Sequence, residues 1–454
     1  MKRILKSIKA IFAPLGRKRG PAKPVILPRQ KHSVSRKNID PDALKILYRL
    51  KRFGHTAYLV GGSVRDLMLG IEAKDFDIST DARPMQMKKL FTNCRLVGKR
   101  FRLAHILFRG KFIEVATFRK QSEFDAEGDD LLIRSDNTFG TPLEDAFRRD
   151  FTVNALFYNI EDFSVIDYVG GLKDLEERVL RCIGDPNIRL REDPIRMLRA
   201  IRLASRLDFQ IDPALQRAIA AHRGDIWKGA TPRITEEIFR MMAGGTARRS
   251  FSLLMETGLM DLILPELTIV LVKRGQAHAF WAYLSALDKL TQGGKEFSQA
   301  VLYAALMIHL FHSKLEHTKG EIDRIALAEE SITPIAQRLG IPKRVQDRAR
   351  AILVTQRRFQ SAVKREGGVA GGFQEKPYFQ DSLDLFHIHA VANPEFLPVH
   401  ERWRRLGHRP PSAPAAPPPP GPPQGEDAAA EPQKSRGRSR SRGRRRRPRT
   451  AAPE

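Results

Sequence analysis

Asp75 and Asp77 stand one residue apart in the stretch L-V-G-G-S-V-R-D-L-M-L-G-I-E-A-K-D-F-D-I-S-T, Leu59 to Thr80. In an extended chain the side chains at i and i+2 point to the same face, so the two carboxylates can converge. Hard oxygen ligands of this kind suit Mg²⁺, which keeps waters and substrate phosphates as its other ligands. Ions so held can activate an attacking hydroxyl and stabilise a leaving pyrophosphate. Gly61-Gly62 supplies the other half of that chemistry. Lacking Cβ atoms, it lets backbone approach a triphosphate, and a helix opening there points N–H groups at it. Arg65 adds a positive charge nearby. No G-x-x-x-x-G-K-[ST] loop accompanies these residues. A lone D-x-D is a weak signal, since most such pairs are surface carboxylates or caps.

The elements that must position these residues follow from the local pattern. Asp40-Pro41 predicts a helix start, an N-cap acid followed by proline at the first helical position. Leu44, Leu47 and Leu50 form its apolar side and Gly54 ends it. Ala57 to Val60 reads as a buried strand, Gly61-Gly62 as a turn, and Val64 to Leu69 as a short helix closed by Gly70. Phe76 to Ile78 lies on the next strand, and Lys111 to Phe118 alternates as another. Gln121 to Ser135 is acidic and non-periodic, which predicts a mobile loop. Gly16 to Lys31 reads as a Pro- and Lys/Arg-rich linker. Past about Leu180 the pattern is helical nearly to Leu406; from Pro410 the composition cannot bury a core. The expected fold class is α+β: a small N-terminal mixed-sheet head, then an all-α neck and body, with disordered basic tails. The expected divisions are a basic extension (1–38), a catalytic head (39–180), a neck (181–250), a body (251–408) and a Pro/Arg-rich tail (409–454).

The succession G-G-x-V-R-D, a closing Gly70 and then D-x-D resembles the nucleotidyltransferases of the DNA polymerase β superfamily. Its wording resembles the class II subgroup, tRNA CCA-adding enzymes and bacterial poly(A) polymerases. Four further segments agree in family order. R-R-D-F-T-V-N-A-L (Arg148 to Leu156) resembles R-R-D-[FL]-[TS]-x-N, and D-Y-V-G-G (Asp167 to Gly171) resembles a hinge motif. R-E-D-P-I-R-M-L-R-A-I-R (Arg191 to Arg202) resembles E-D-x-x-R-x-x-R, and R-I-T-E-E-I (Arg233 to Ile238) a supporting neck helix. The resemblance implies that Asp75 and Asp77 are catalytic carboxylates holding Mg²⁺ or Mn²⁺. It implies that Gly61, Gly62 and Arg65 hold the triphosphate of ATP, and that Arg148, Asp150 and Asn154 hold ribose and phosphates. Arg119 and Arg199 join the nucleotide-binding set. Asp193 and Arg196, three apart and hence adjacent on one helix face, are expected to read the base. A third carboxylate is expected beside the metals. Asp150 takes that place, with Glu114 on the strand F-I-E-V as the alternative; Glu114 could instead pair with Arg119 or the neck.

One stretch separates the two subgroups. R-L-V-G-K-R-F-R-L-A-H-I (Arg95 to Ile106) resembles the segment that marks bacterial poly(A) polymerases, as does R-S-D-N-T-F-G (Arg134 to Gly140). His309 and His312 lie on an apolar helix and read as core residues, with no H-D phosphohydrolase motif. The implied activity is template-independent addition of AMP from ATP to RNA 3′ ends. The alternatives are a CCA-adding enzyme, a non-catalytic RNA-binding protein, and nucleotide transfer to a small molecule.

The charge distribution agrees. Of the net +27, residues 1–37 carry +12 and residues 434–454 carry +9, leaving +6 for the other 396 residues. Such tails bind polyanions, nucleic acid first. The terminal S-R-G-R-S-R-S-R-G-R-R-R-R-P-R (Ser435 to Arg449) suits sequence-independent phosphate contacts. Lys2 to Phe12 reads as a short basic amphipathic helix that could touch a membrane or a partner, or simply fray. Cys94 and Cys182 are the two cysteines; they have no metal spacing and fit a reducing cytoplasm. The longest apolar run, Ala300 to Ile308, is too short to span a bilayer. RNA-decay or RNA-chaperone proteins as partners, and a monomeric state, complete the expectations.

Overall fold

The short apolar segments between residues 25 and 167 assemble into one eight-stranded mixed sheet. A computed structural model of the protein describes residues 23–98, 103–120, 138–273, 277–318, 321–361 and 372–407. The amphipathic stretch Lys2 to Phe12, the loop Gln121 to Ser135 and the tail from Pro410 lie outside the described residues. So do residues 99–102 and 134–137 of the two segments that mark the subgroup.

The sheet strands are β1 (Val25–Leu27), β2 (Ala57–Val60), β3 (Asp77–Thr80), β4 (Cys94–Val97), β5 (Leu103–Phe108), β6 (Lys111–Thr117), β7 (Leu156–Asn159) and β8 (Val165–Asp167), in the order β1-β8-β7-β2-β3-β6-β5-β4. The stretch expected to be a linker therefore contains an edge strand: Val25–Leu27 pairs antiparallel with β8, Ile26 opposite Ile166. Helix α1 (Pro41–Arg52) begins as its cap signal predicts. Asp40 accepts from the Asp42 N–H at 2.8 Å, and Ala43, Ile46, Leu47 and Leu50 are buried under the sheet. Gly54, at φ +80°, takes the left-handed position after the helix that a side chain would resist.

Helix α2 (Gly62–Met68) starts at the second glycine, two residues earlier than the pattern suggested. Strand β3 starts at Asp77, so Asp75 precedes it rather than lying within it. Asp75 and Asp77 are both exposed while Phe76 between them is buried, so the two carboxylates still share one side of the chain. Strand β3 runs parallel to β6, with Ile78 opposite Val115. One residue back on each strand stand Asp77 and Glu114.

The neck follows as α3 (Pro186–Glu192), α4 (Ile195–Leu207), α5 (Pro213–His222) and α6 (Thr231–Ala243). It is not purely helical: Val179–Leu180 pairs in parallel with Gln210–Ile211. The body is helical, and its core helix Gln299–His317 buries Tyr303, Ile308 and Phe311. His309 on that helix packs against Phe280 and Tyr283 at ring-centroid distances of 5.7 and 5.1 Å, as a core residue. Among the described residues no helix is long and apolar enough to cross a membrane.

Candidate active site

The cleft is built where β2 ends and β3 begins. It encloses about 720 Å³ and is lined by the glycine turn, Asp75, Asp77, the Arg148–Asn154 segment and the neck helices. Ten Lys/Arg face five Asp across it, so the cleft as a whole attracts anions. That volume falls within the range of nucleotide-sized pockets.

Gly61 makes the floor. Its φ is +75° and its ψ is −134°. That conformation is open essentially to glycine alone. A Cβ there would stand 3.2 Å from Arg149 Nη1. The Gly61 N–H is spent on the Leu156 carbonyl at 3.1 Å, which fixes the turn against β7. Gly62 opens α2 behind it.

Asp77 is open to the cleft, yet packing around its base pushes its pKa up to about 6. Burial is the main cause, the neighbouring Glu114 the next, with Arg149 opposing and Asp75 adding a smaller push. The Glu114 carboxyl is likewise raised by burial, against the pull of Arg119. A carboxylate crowded by like charge is what a divalent cation relieves. The donor set thus fits a hard dication at Asp75 and Asp77 with Glu114 beside Asp77. Among the described residues no three acidic or imidazole side chains converge as a ready-made cage.

Asp150 sits in the same cleft but has a different charge environment. Arg199 donates to its Oδ2 from Nε at 2.8 Å and from Nη2 at 2.6 Å. Asn154 Nδ2 and the Phe151 N–H donate to its Oδ1 at 3.1 and 2.8 Å. Burial alone would raise its pKa, but Arg199 and these hydrogen bonds hold the carboxyl far below the usual range. Asp150 is therefore neutralised by protein, and the acid whose charge presses on Asp77 is Glu114.

The arginines form a chain of ion pairs rather than a set of free cations. Arg65, 2 % exposed, donates to Asp66 Oδ1 at 2.8 and 2.6 Å and also to Asn154 Oδ1. Asp66 Oδ2 accepts from Arg206 at 2.8 Å. Arg199 lies 3.8 Å from Glu237, which Arg202 holds at 2.5 Å. Arg148 and Arg149 both grip the fully buried Asp145, at 2.9 and 2.8 Å. Arg149, passed over in the sequence, also donates to Ser79 Oγ at 3.3 Å and lies over the Phe157 ring. Arg119 is buried and donates its N–H to Asp145 at 3.3 Å; it stands by Glu114 and outside the cleft lining.

The pair expected to read the base is arranged otherwise than its spacing suggests. Asp193 and Arg196 are not on one helix face. Helix α3 stops at Glu192, Asp193 is extended (φ −147°, ψ 94°), and Pro194 opens the next helix. A residue before proline is disfavoured in helical conformation, which is the reason for the break. Asp193 is held bidentately by Arg233 at 2.9 and 2.8 Å. Arg196 donates instead to the Arg189 carbonyl at 2.7 Å and to Glu192 at 2.9 Å. Both residues still line the cleft. Arg202 and Arg206, which sequence reasoning missed as cleft residues, had a visible signal: with the expected Arg196 and Arg199 they recur at three- and four-residue steps on one face of α4.

Comparisons with known proteins agree with this geometry. Residues 57–181 match the poly A polymerase head domain, 208–270 a probable RNA- and SrmB-binding site of polymerase A, and 324–450 the polymerase A arginine-rich C-terminus. The chain is 39 % identical to poly(A) polymerase I of Salmonella typhi over 399 residues, 83 % of this chain and 84 % of that one. It is also 39 % identical to the CCA-adding enzyme of Bacillus licheniformis, but over 48 % of this chain and 54 % of that one. In structure it is similar to the Bacillus stearothermophilus CCA-adding enzyme in complex with CTP, with a TM-score of 0.59, 26 % identity, and 81 % and 82 % of the two chains covered.

Proposed function

The chain belongs to the bacterial poly(A) polymerase family, and from that premise we infer how its cleft adds adenylate to RNA. It is a polynucleotide adenylyltransferase, taking ATP and an RNA 3′ end as substrates. The 3′-OH attacks the α-phosphorus of ATP; the O3′–P bond forms as the bond to the β-phosphate bridge breaks, and pyrophosphate leaves. The observation that carries the assignment of residues is the crowding of Asp77 by Glu114 and Asp75 at the mouth of the glycine turn.

Asp75 and Asp77 would hold Mg²⁺ or Mn²⁺, with Glu114 adding negative charge beside Asp77. When bound, the ion supplies Lewis acidity toward the attacking hydroxyl and the leaving phosphates. Gly61 and Gly62 let the triphosphate lie against backbone, and the surrounding arginines give it a positive wall. Asn154 is fixed between Arg65 and Asp150, so its amide is oriented before the nucleotide arrives. Asp150 acts as a positioning residue for Arg199 and Asn154. Asp193 and Arg233, held as a planar pair, offer an acceptor and donors toward the adenine edge. The RNA is held by the basic segments beyond the cleft.

The test uses pure protein, Mg²⁺ and a single-stranded RNA with a free 3′-OH given each nucleoside triphosphate alone, and in parallel a truncated tRNA given CTP and ATP together. A long ladder with ATP only is expected. Addition of C, C and A to a truncated tRNA, with no ladder, would assign the chain to the CCA-adding branch instead.

A further inference from the structure

Near the β7–β8 turn, the segment Pro28–Lys37 leaves a groove of about 400 Å³. Arg29, Ser35, Arg36, Lys37, Tyr158 and Phe163 line it. The two sites lie at opposite ends of one strand. The Gly61 N–H bonds Leu156 at the start of β7, whereas Phe163 lies in the turn that follows its end. The strand alone, at its usual rise per residue, spans about 13 Å.

The chemistry of this groove is that of a polyanion site. Arg29, Lys31, Arg36 and Lys37 are all exposed, and among the described residues none of them has a carboxylate within ion-pair distance. That contrasts with the cleft arginines, most of which are paired. The Arg36 guanidinium lies 4.5 Å above the Phe163 ring and donates to the Tyr48 hydroxyl at 3.0 Å. The guanidinium is thus held against the ring, where it can stack a base. Phe163 is pinned there, its carbonyl hydrogen-bonded to His32 Nε2 at 2.9 Å. The Phe163 backbone takes φ +59°. A left-handed conformation is unusual for so bulky a residue. Residues 1–22, which precede this segment in the chain, add seven Lys/Arg and no acid.

We propose that this groove is a second single-stranded RNA site, which binds the transcript upstream of the 3′ end lying in the cleft. Arg29 and Lys37 take backbone phosphates, and the Arg36–Phe163 stack takes a base. RNA is favoured over a free nucleotide because the exposed cations are spread along the segment instead of converging on one point. The inference rests on the reading of RNA 3′ ends as substrate. It gives the head a role in substrate length: an RNA too short to reach from the cleft to the groove gains nothing from it.

The test compares wild type with Arg29→Gln/Lys37→Gln, two side chains outside the cleft. It measures KM for RNA in single AMP addition, with a primer of a few nucleotides and with one several times longer. Counterion release at a slope of about 0.7 per phosphate makes each lost contact cost about fivefold at about 0.1 M salt. The long RNA should therefore show KM raised about 25-fold, kcat unchanged and a salt slope shallower by about 1.4. The short primer should be unaffected. Equal KM for long RNA in both proteins, or equal loss on both primers, overturns the proposal. If wild type extends neither RNA, the polymerase reading itself fails. Photo-crosslinking of 4-thiouridine RNA to Cys94→Ser enzyme supplies a second arm independent of the substitution. Crosslinks within 29–37 or at Phe163 that survive excess free ATP are expected. Crosslinks there that free ATP abolishes would make it a mononucleotide site, contrary to the proposal.

Discussion

Asp150→Asn and Glu114→Gln should move stability in opposite directions. Asp150 accepts four hydrogen bonds, two of them from Arg199. Breaking a buried charged pair costs about 3–5 kcal/mol when the partner is left stranded. Here Arg199 is 31 % exposed and retains Glu237 at 3.8 Å. The loss should therefore be nearer ~2 kcal/mol. For a chain of this size that lowers the thermal midpoint by about 2–3 °C. The pH dependence has a definite sign. The Asp150 carboxyl is held below its ordinary value, so its contribution is present above about pH 4 and is lost as pH falls further. The deficit of Asp150→Asn should therefore be full at about pH 7 and shrink on acidification below about pH 4. Glu114 is in the reverse situation, with its carboxyl raised by burial. Neutralising it relieves an unfavourable charge, worth about 0.5 kcal/mol after solvent screening at a partly exposed group. The assay is thermal unfolding at both pH values, together with a Mg²⁺ titration of AMP transfer. Glu114→Gln should unfold slightly later but need several-fold more Mg²⁺. Asp150→Asn should unfold earlier and lose turnover, with its Mg²⁺ requirement unchanged. A wild-type midpoint for Asp150→Asn with a raised Mg²⁺ requirement would refute the reasoning and make Asp150 the third metal-facing acid.

Two further substitutions probe the cleft. Gly61→Ala must hold φ +75° and place a Cβ 3.2 Å from Arg149 Nη1. It should cost about 1–2 kcal/mol of stability and most of the activity, read by unfolding and by ATP turnover. Full activity in Gly61→Ala would show that the turn is not a phosphate cradle. Asp193→Ala releases Arg233 and removes the acceptor. ATP should then lose its advantage over the other nucleotides by about tenfold or more in kcat/KM, while triphosphate competition persists. Equal loss for all four nucleotides would contradict base reading.

Much of the head was legible because its signals are local. The Asp40 cap, the strand Ala57–Val60 and the glycine turn each fall within a few residues of sequence and fold as their chemistry dictates. The Asp193–Pro194 break was also written locally, but helical spacing of the charges on either side overrode it. What could not be read was long-range pairing. Asp66 and Arg206 are 140 residues apart, and Asp150 and Arg199 are 49 apart. Glu114 reaches Asp77 through a parallel strand pairing that no local period specifies. Edge strand β1 was hidden because three residues beside a Pro/Lys-rich stretch carry too little alternation to stand out.

The central claim is that Asp75 and Asp77 carry the chemistry of adenylate transfer and do not merely hold the fold. Asp77→Ala removes the most crowded carboxylate of the group. A single-turnover assay with preformed enzyme–RNA complex, saturating ATP and Mg²⁺ isolates the chemical step. The account predicts that RNA binding is kept and the unfolding midpoint does not fall, while transfer of the first AMP falls by at least about 10³-fold. Transfer at the wild-type rate would contradict it, and would place the reaction on other residues of the cleft.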